Sequence, residues 1–225
     1  MKMALVAGTR GGSGKTVCSH LLALGAYKEG VPAVLINTDT TRDPAAANLK
    51  RPYNIVDGVN PENPSDAEYL KAMINAYYER YKSTKSLLII DGCASRHAVD
   101  IWLSDAVDVT VLPALVERAS SSAINKVWED YKKTKSVKAI VLNRMPQANH
   151  LNEHHEAIIE SLPVKPVLKL PNINKVWTLD SDVYYNDSDV NRIARVLFLC
   201  VAQKAGMYSL DESRARIEAI TNKSV

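Results

Sequence analysis

The chain has 225 residues, 46% apolar and 24% charged, the balance of ordinary globular domains, which excludes a disordered chain, a collagen-like rod and a coiled coil. Folding at this length buries roughly 70% of the extended-chain surface, so a core forms without disulfides or a structural metal. Three cysteines without C-x-x-C spacing (Cys18, Cys93, Cys200) agree with a reducing compartment, and a net charge of +3 permits an anionic partner without requiring one.

In chain order, short and continuously apolar runs predict strands at 3–7, 33–37, 87–91, 107–112, 138–143 and 166–170, each covered on both faces. Helical-period segments lie between and after them, near 14–29, 66–81, 97–104, 120–132, 149–160, 189–205 and 211–220. Ser65-x-x-Glu68 and Ser209-x-x-Glu212 read as capping boxes at two helix starts. The stretch 48–64, rich in Pro, Asn and Gly, reads as a long surface loop. Strand and helix alternation predicts an α/β fold, a mostly parallel twisted sheet with helices on both faces, in one domain over 1–225. No apolar run approaches the roughly 20 residues of a membrane-spanning helix, and residues 1–6 are too few for a signal-peptide core. The expectation is a cytoplasmic protein.

Directly after the first strand comes Gly8-Thr9-Arg10-Gly11-Gly12-Ser13-Gly14-Lys15-Thr16, then a helix beginning at Val17. Glycines let successive backbone N–H groups turn toward phosphate oxygens, and the helix N-terminus adds its positive dipole end. Lys15 would bridge the β- and γ-phosphates, and the Thr16 hydroxyl would join a Mg²⁺ shell. The regular G-x-x-x-x-G-K-[ST] pattern fails, because Thr9 stands where its first glycine belongs.

What fits is the variant x-K-G-G-x-G-K-[ST], with Arg10 in place of the lysine. In these residues the chain resembles the ParA/MinD family of deviant-Walker ATPases, which are P-loop NTPase-like. The resemblance implies an ATP-sandwich homodimer in which the charge before the two glycines reaches the partner's nucleotide. Arg10 keeps that charge as a planar guanidinium and would serve as an arginine finger. Ala33-Val-Leu-Ile-Asn-Thr-Asp39 looks like the family's D-x-D switch with Asn37 for the first Asp, which makes Asp39 the water-positioning carboxylate and a metal-shell residue. Leu87-Leu-Ile-Ile-Asp91 has the Walker B pattern, with Asp91 holding a Mg²⁺-bound water, and Gly92-Cys93-Ala94 resembles the second switch without its proline.

Val141-Leu142-Asn143-Arg144 lacks the Asp of the guanine-reading N-K-x-D motif, and in the resembled family an asparagine here recognises adenine through its amide. ATP is therefore expected over GTP. Leu170-Pro171-Asn172 resembles the segment flanking the adenine, or is an ordinary turn after a strand. The expected nucleotide-binding set is Gly11, Gly12, Ser13, Gly14, Lys15, Thr16, Val17, Asn143, Pro171 and Asn172.

The resemblance implies a switch that positions or partitions cargo: ATP closes the dimer, a small partner protein stimulates hydrolysis, and the ATP dimer binds DNA without sequence preference, making it nucleoid-associated. Starting at the phosphate-loop strand, the chain resembles the short form without a helix-turn-helix domain. DNA contact is then expected from Arg192, Arg195, Lys204, Arg214 and Arg216 on the last helices, rather than from Lys126, Lys132, Lys133, Lys135 and Lys138 around an earlier helix end. Direct membrane binding is not expected, since 212–221 offers two large apolar residues among mixed charges. Two other classes remain open. Gly8-Thr9 with Gly14-Lys15-Thr16 also looks like the start of dethiobiotin synthetase and related ATP-dependent ligases, and a nucleotide-bound adaptor with little hydrolysis would carry the same loop.

Overall fold

Strands that are apolar on both faces need two layers of cover. The structure, a computed structural model, describes residues 1–8, 12–38, 51–93, 97–115, 121–146, 150–172 and 185–222. Its sheet is wholly parallel: β1 (Lys2–Val6), β2 (Ala33–Asn37), β3 (Asn54–Val56), β4 (Leu87–Asp91), β5 (Val109–Leu115), β6 (Val137–Met145) and β7 (Leu168–Pro171), ordered β3-β2-β4-β1-β5-β6-β7. The helices are α1 (Lys15–Lys28), α2 (Pro64–Tyr81), α3 (His97–Ala106), α4 (Ser121–Tyr131), α5 (Glu153–Glu160), α6 (Ser188–Lys204) and α7 (Leu210–Thr221).

Alternating side chains divide the core. Ala4, Val6, Leu35, Leu87, Ile89, Val111 and Val141 pack under α1, α6 and α7, while Leu5, Ile90, Ile140 and Leu142 pack against Leu103, Ile124, Tyr131 and Ile158 of α3, α4 and α5. Val34, Ile36 and Leu88 meet Leu70 and Met73 of α2. Helix α1 lies between the sheet and α6, so it is apolar nearly all round. The two helices touch at Gly25, where an added Cβ would stand 2.1 Å from the Ala194 carbonyl oxygen.

The chain leaves β1 toward β2 and β3, returns to β4 beside β1, then crosses to β5 on the other side. In open parallel sheets, ligands bind beyond the strand C-termini where the order reverses. That crevice lies between β1, β4 and β5.

Four local readings are corrected. Residues 54–56 form edge strand β3 within the expected loop, paired to β2 through Val34↔Asn54 and Ile36↔Val56. The N-cap of α2 is Asn63, not Ser65: Pro64 favours the first helical turn, Asn63 Oδ1 accepts from Ser65 N at 3.1 Å, and Glu68 pairs with Lys71 at 2.7 Å. β5 runs on to Leu115 through Pro113, because pairing with β1 has already ended at Val111. Helix α5 starts at Glu153 behind the Asn152 cap, not at 149. The second expected box is present, with Ser209 N donating to Glu212 at 2.9 Å and Glu212 N to Ser209 Oγ at 3.1 Å. Among the described residues no helix is long and apolar enough to cross a membrane.

Candidate functional site

β1 ends at the reversal of strand order, and the residues described before α1 begin again at Gly12. Gly12 and Gly14 take left-handed backbone, φ 73° and 90°, which glycine adopts without steric cost, and α1 begins at Lys15. Helices α2, α5, α6 and α7 carry side-chain caps from Asn63, Asn152, Asp187 and Ser209. α1 has none, and its first turn holds no acidic residue. Its leading N–H groups and positive dipole end thus have neither a side-chain N-cap nor an acidic residue of the first turn among the described residues, the arrangement that receives phosphate. Ser13 Oγ, between the two glycines, is buried without a hydrogen-bond partner, and Lys15 beside it is buried too. Thr9, Arg10 and Gly11 lie outside the described residues.

Asp91 ends β4, fully buried, with Val6 and Asn37 opposite it in register on β1 and β2. Its carboxylate accepts the Ser19 hydroxyl at 2.9 Å. Its carbonyl accepts Thr38 N at 3.2 Å and Thr38 Oγ1 at 2.7 Å, which ties the end of β2 to the end of β4. Asn37, standing where the family has an acid, donates its amide to Asp57 Oδ1 at 3.0 Å. Asp39 lies outside the described residues. Among those described, no three or more His, Cys, Asp or Glu side chains gather into a metal site. Of the expected metal-shell residues, the described ones are the hydroxyl residue Thr16 and the carboxylate residue Asp91, oxygen donors of the kind that suits Mg²⁺, which keeps several waters and takes its other oxygens from substrate phosphates.

The CobQ/CobB/MinD/ParA nucleotide binding domain (CbiA) matches residues 4–182. The chain belongs to this family. Solved structures agree with the fold. An McdA variant from Cyanothece in complex with ATP superposes with TM-score 0.65 at 14% identity, over 93% of this chain and 98% of that one. The septum site-determining protein MinD of Pyrococcus horikoshii, complexed with Mg-ADP, gives 0.62 at 19% identity, over 91% and 97%. Cobyrinic acid a,c-diamide synthase of Mycobacterium smegmatis, with ADP and magnesium, gives 0.61 at 12% identity, over 92% and 96%. No curated protein matches the sequence.

In this CobQ/CobB/MinD/ParA domain, Asn143 is fully buried near the end of β6. Its amide nitrogen donates to the Ser13 carbonyl at 2.8 Å, and its oxygen accepts the Cys18 thiol at 3.6 Å. Burial pushes that thiol up to about 12, against the bond to Asn143, so Cys18 stays a protonated donor. Arg144, next in line, takes left-handed backbone at φ 52°. Pro171 and Asn172 are exposed at the carboxyl end of β7, with Asn172 N donating to Met145 O at 3.1 Å.

The late cations divide into two groups. Arg195 and Arg216 both bind Glu29, at 2.6 and 3.1 Å, and Arg216 lies over the Tyr208 ring at 5.0 Å. Arg192 makes an exposed pair with Asp189 at 3.3 Å, while Lys204 and Arg214 line a groove between α6 and α7. Of the earlier cluster, Lys132 pairs with Glu129, and Lys138 donates to the Thr134 and Ser136 carbonyls. Sequence reasoning missed Ser19 and the link from Asn143 to Ser13. The signal for Ser19 was a hydroxyl one helical turn after Lys15, on the face turned to the sheet.

Proposed function

We propose that this chain is an ATP-dependent, dimerising switch ATPase that positions or partitions a cargo and hydrolyses ATP to ADP. The observation that carries the reading is the convergence at one crevice of an uncapped α1 N-terminus, buried Lys15, the unpartnered Ser13 Oγ and the strand-end carboxylate Asp91. Backbone N–H groups of 12–16 bind the phosphates, Lys15 neutralises the β- and γ-oxygens, and Thr16 and Asp91 hold the metal shell. Bound Mg²⁺ supplies charge neutralisation at the transferring phosphoryl group. Asp39 positions the attacking water, and Arg10 reaches the nucleotide of the second copy. Non-specific DNA is the anionic partner of the ATP dimer, contacted through Arg192, Lys204 and Arg214, with a small partner protein stimulating turnover. Arg195 and Arg216, bound to Glu29, take less part.

Light scattering with and without Mg·ATP tests the switch, using Asp39→Ala to slow hydrolysis. A dimer with ATP and a monomer with ADP are expected; a variant that stays monomeric in ATP counts against the reading. The shared fold of the diamide synthase keeps an ATP-dependent ligase as the second reading. Phosphate release without any added carboxylate or amine substrate separates the two.

A further inference from the structure

Ser19 is fully buried on α1, with Oγ 2.9 Å from Asp91 Oδ1 and 3.0 Å from the Lys15 carbonyl. A serine hydroxyl has one proton for two acceptors. The Lys15 carbonyl is a neutral acceptor that the helix ladder already supplies with the N–H four residues on. A carboxylate oxygen is a stronger acceptor than a carbonyl that already has its helix bond, and it takes the proton. A serine in a helix interior also competes with the backbone, where alanine would pack at lower cost.

We propose that Ser19 is the positioning residue that orients the Asp91 carboxylate toward the metal of the phosphate site, an inference that rests on the nucleotide reading above. Among the described residues, three features hold Asp91 in place. Its carbonyl is bound by Thr38, its strand is paired on both sides, and Oδ1 is held by Ser19. A carboxylate held at one oxygen no longer turns about its terminal torsion, so Oδ2 keeps one bearing. Ser19 reaches the metal through Asp91 alone; Thr16, one turn nearer the loop, is the hydroxyl that the motif assigns to the metal itself.

The test measures ADP affinity of the full chain in EDTA and in excess Mg²⁺. For Ser19→Ala, affinity in EDTA should stay at the wild-type value, while the gain conferred by Mg²⁺ falls about tenfold or more, the usual effect of removing a partner that orients a metal-holding group. Ser19→Cys keeps the volume but offers a weaker donor, and should lose the Mg²⁺ gain in the same direction. It also serves if the alanine variant does not fold. A wild-type Mg²⁺ gain in either folded variant, or an equal loss in EDTA and in Mg²⁺, overturns the assignment and leaves Ser19 as packing. If wild-type protein binds ADP in neither buffer, the nucleotide reading falls as well.

Discussion

The Asn143 amide reaches back to the glycine-rich turn before α1 and donates to the Ser13 carbonyl at 2.8 Å, while its oxygen takes the Cys18 thiol at 3.6 Å. Both halves of a fully buried amide are thus committed within the protein, and the last turn before α1 is tied to the end of β6. Asn143→Ala leaves a buried carbonyl and a buried thiol without this partner, a loss of about 1–3 kcal/mol, to be read as a lowered urea midpoint. Loss of the brace acts on the phosphate loop, so ATP and GTP should weaken by similar factors in competition binding. A selective loss of ATP would instead show Asn143 reading the base.

Glu29 caps the C-terminus of α1 with its side chain 4% exposed, where the helix dipole disfavours an anion. Arg195 from α6 and Arg216 from α7 offset that, so three helices share one carboxylate. Breaking so buried a pair is costly, although the half-exposed arginines reduce the effect. Glu29→Gln should lower stability by about 2 kcal/mol, measured by chemical denaturation. Arg195→Ala should behave in the same way, with little change in DNA affinity. Mobility shifts should respond instead to Lys204 and Arg214, most at low salt.

What could be read without the fold follows from where each signal lies. Continuous burial wrote β1, β2 and β4 into the sequence as unbroken apolar runs, and the loop chemistry of Gly12, Gly14, Lys15 and Thr16 is local. β3 was hidden because Asn54-Ile55-Val56 is too short to show a period, and becomes a strand through its register with β2. Ser19 and Asp91 are 72 residues apart, Asn143 and Ser13 130 apart, so neither contact has a local signature. The late arginines read as a patch because charge is counted along the chain, whereas Glu29, 166 residues from Arg195, is found only in space.

Two glycines separate a backbone constraint from a side-chain one. At Gly25 an added Cβ meets the Ala194 carbonyl at 2.1 Å, and α1 and α6 would have to part. At Gly92 it meets the buried Asp100 carboxylate at 2.6 Å, which can turn if its surroundings yield. Gly25→Ala should therefore cost about 3 kcal/mol or more and Gly92→Ala about 1–2, within the range for overpacked sites. Calorimetric melts of the two variants give the order, and a smaller loss at Gly25 would show that α6 is free to shift.

Alkaline pH should unfold the protein through groups kept neutral by burial. Cys18 is pushed from 9.0 up to about 12 by desolvation, and Tyr131 is raised above its usual 10.0 by burial, then by the Asp100 and Asp130 carboxylates. Because the folded values exceed the unfolded ones, their contribution is complete below about pH 9 and is lost as pH rises, when the unfolded chain sheds protons that the native state retains. Each group then lowers stability by about 1.4 kcal/mol per pH unit, Cys18 from about pH 9 and Tyr131 from about pH 10. Urea denaturation at stepped pH should show this decline. Cys18→Ala sacrifices the bond to Asn143 but removes one proton from the slope, so its curve should be shallower above pH 9. A Cys18→Ala slope equal to the wild type would mean that the thiol already ionises in the folded state.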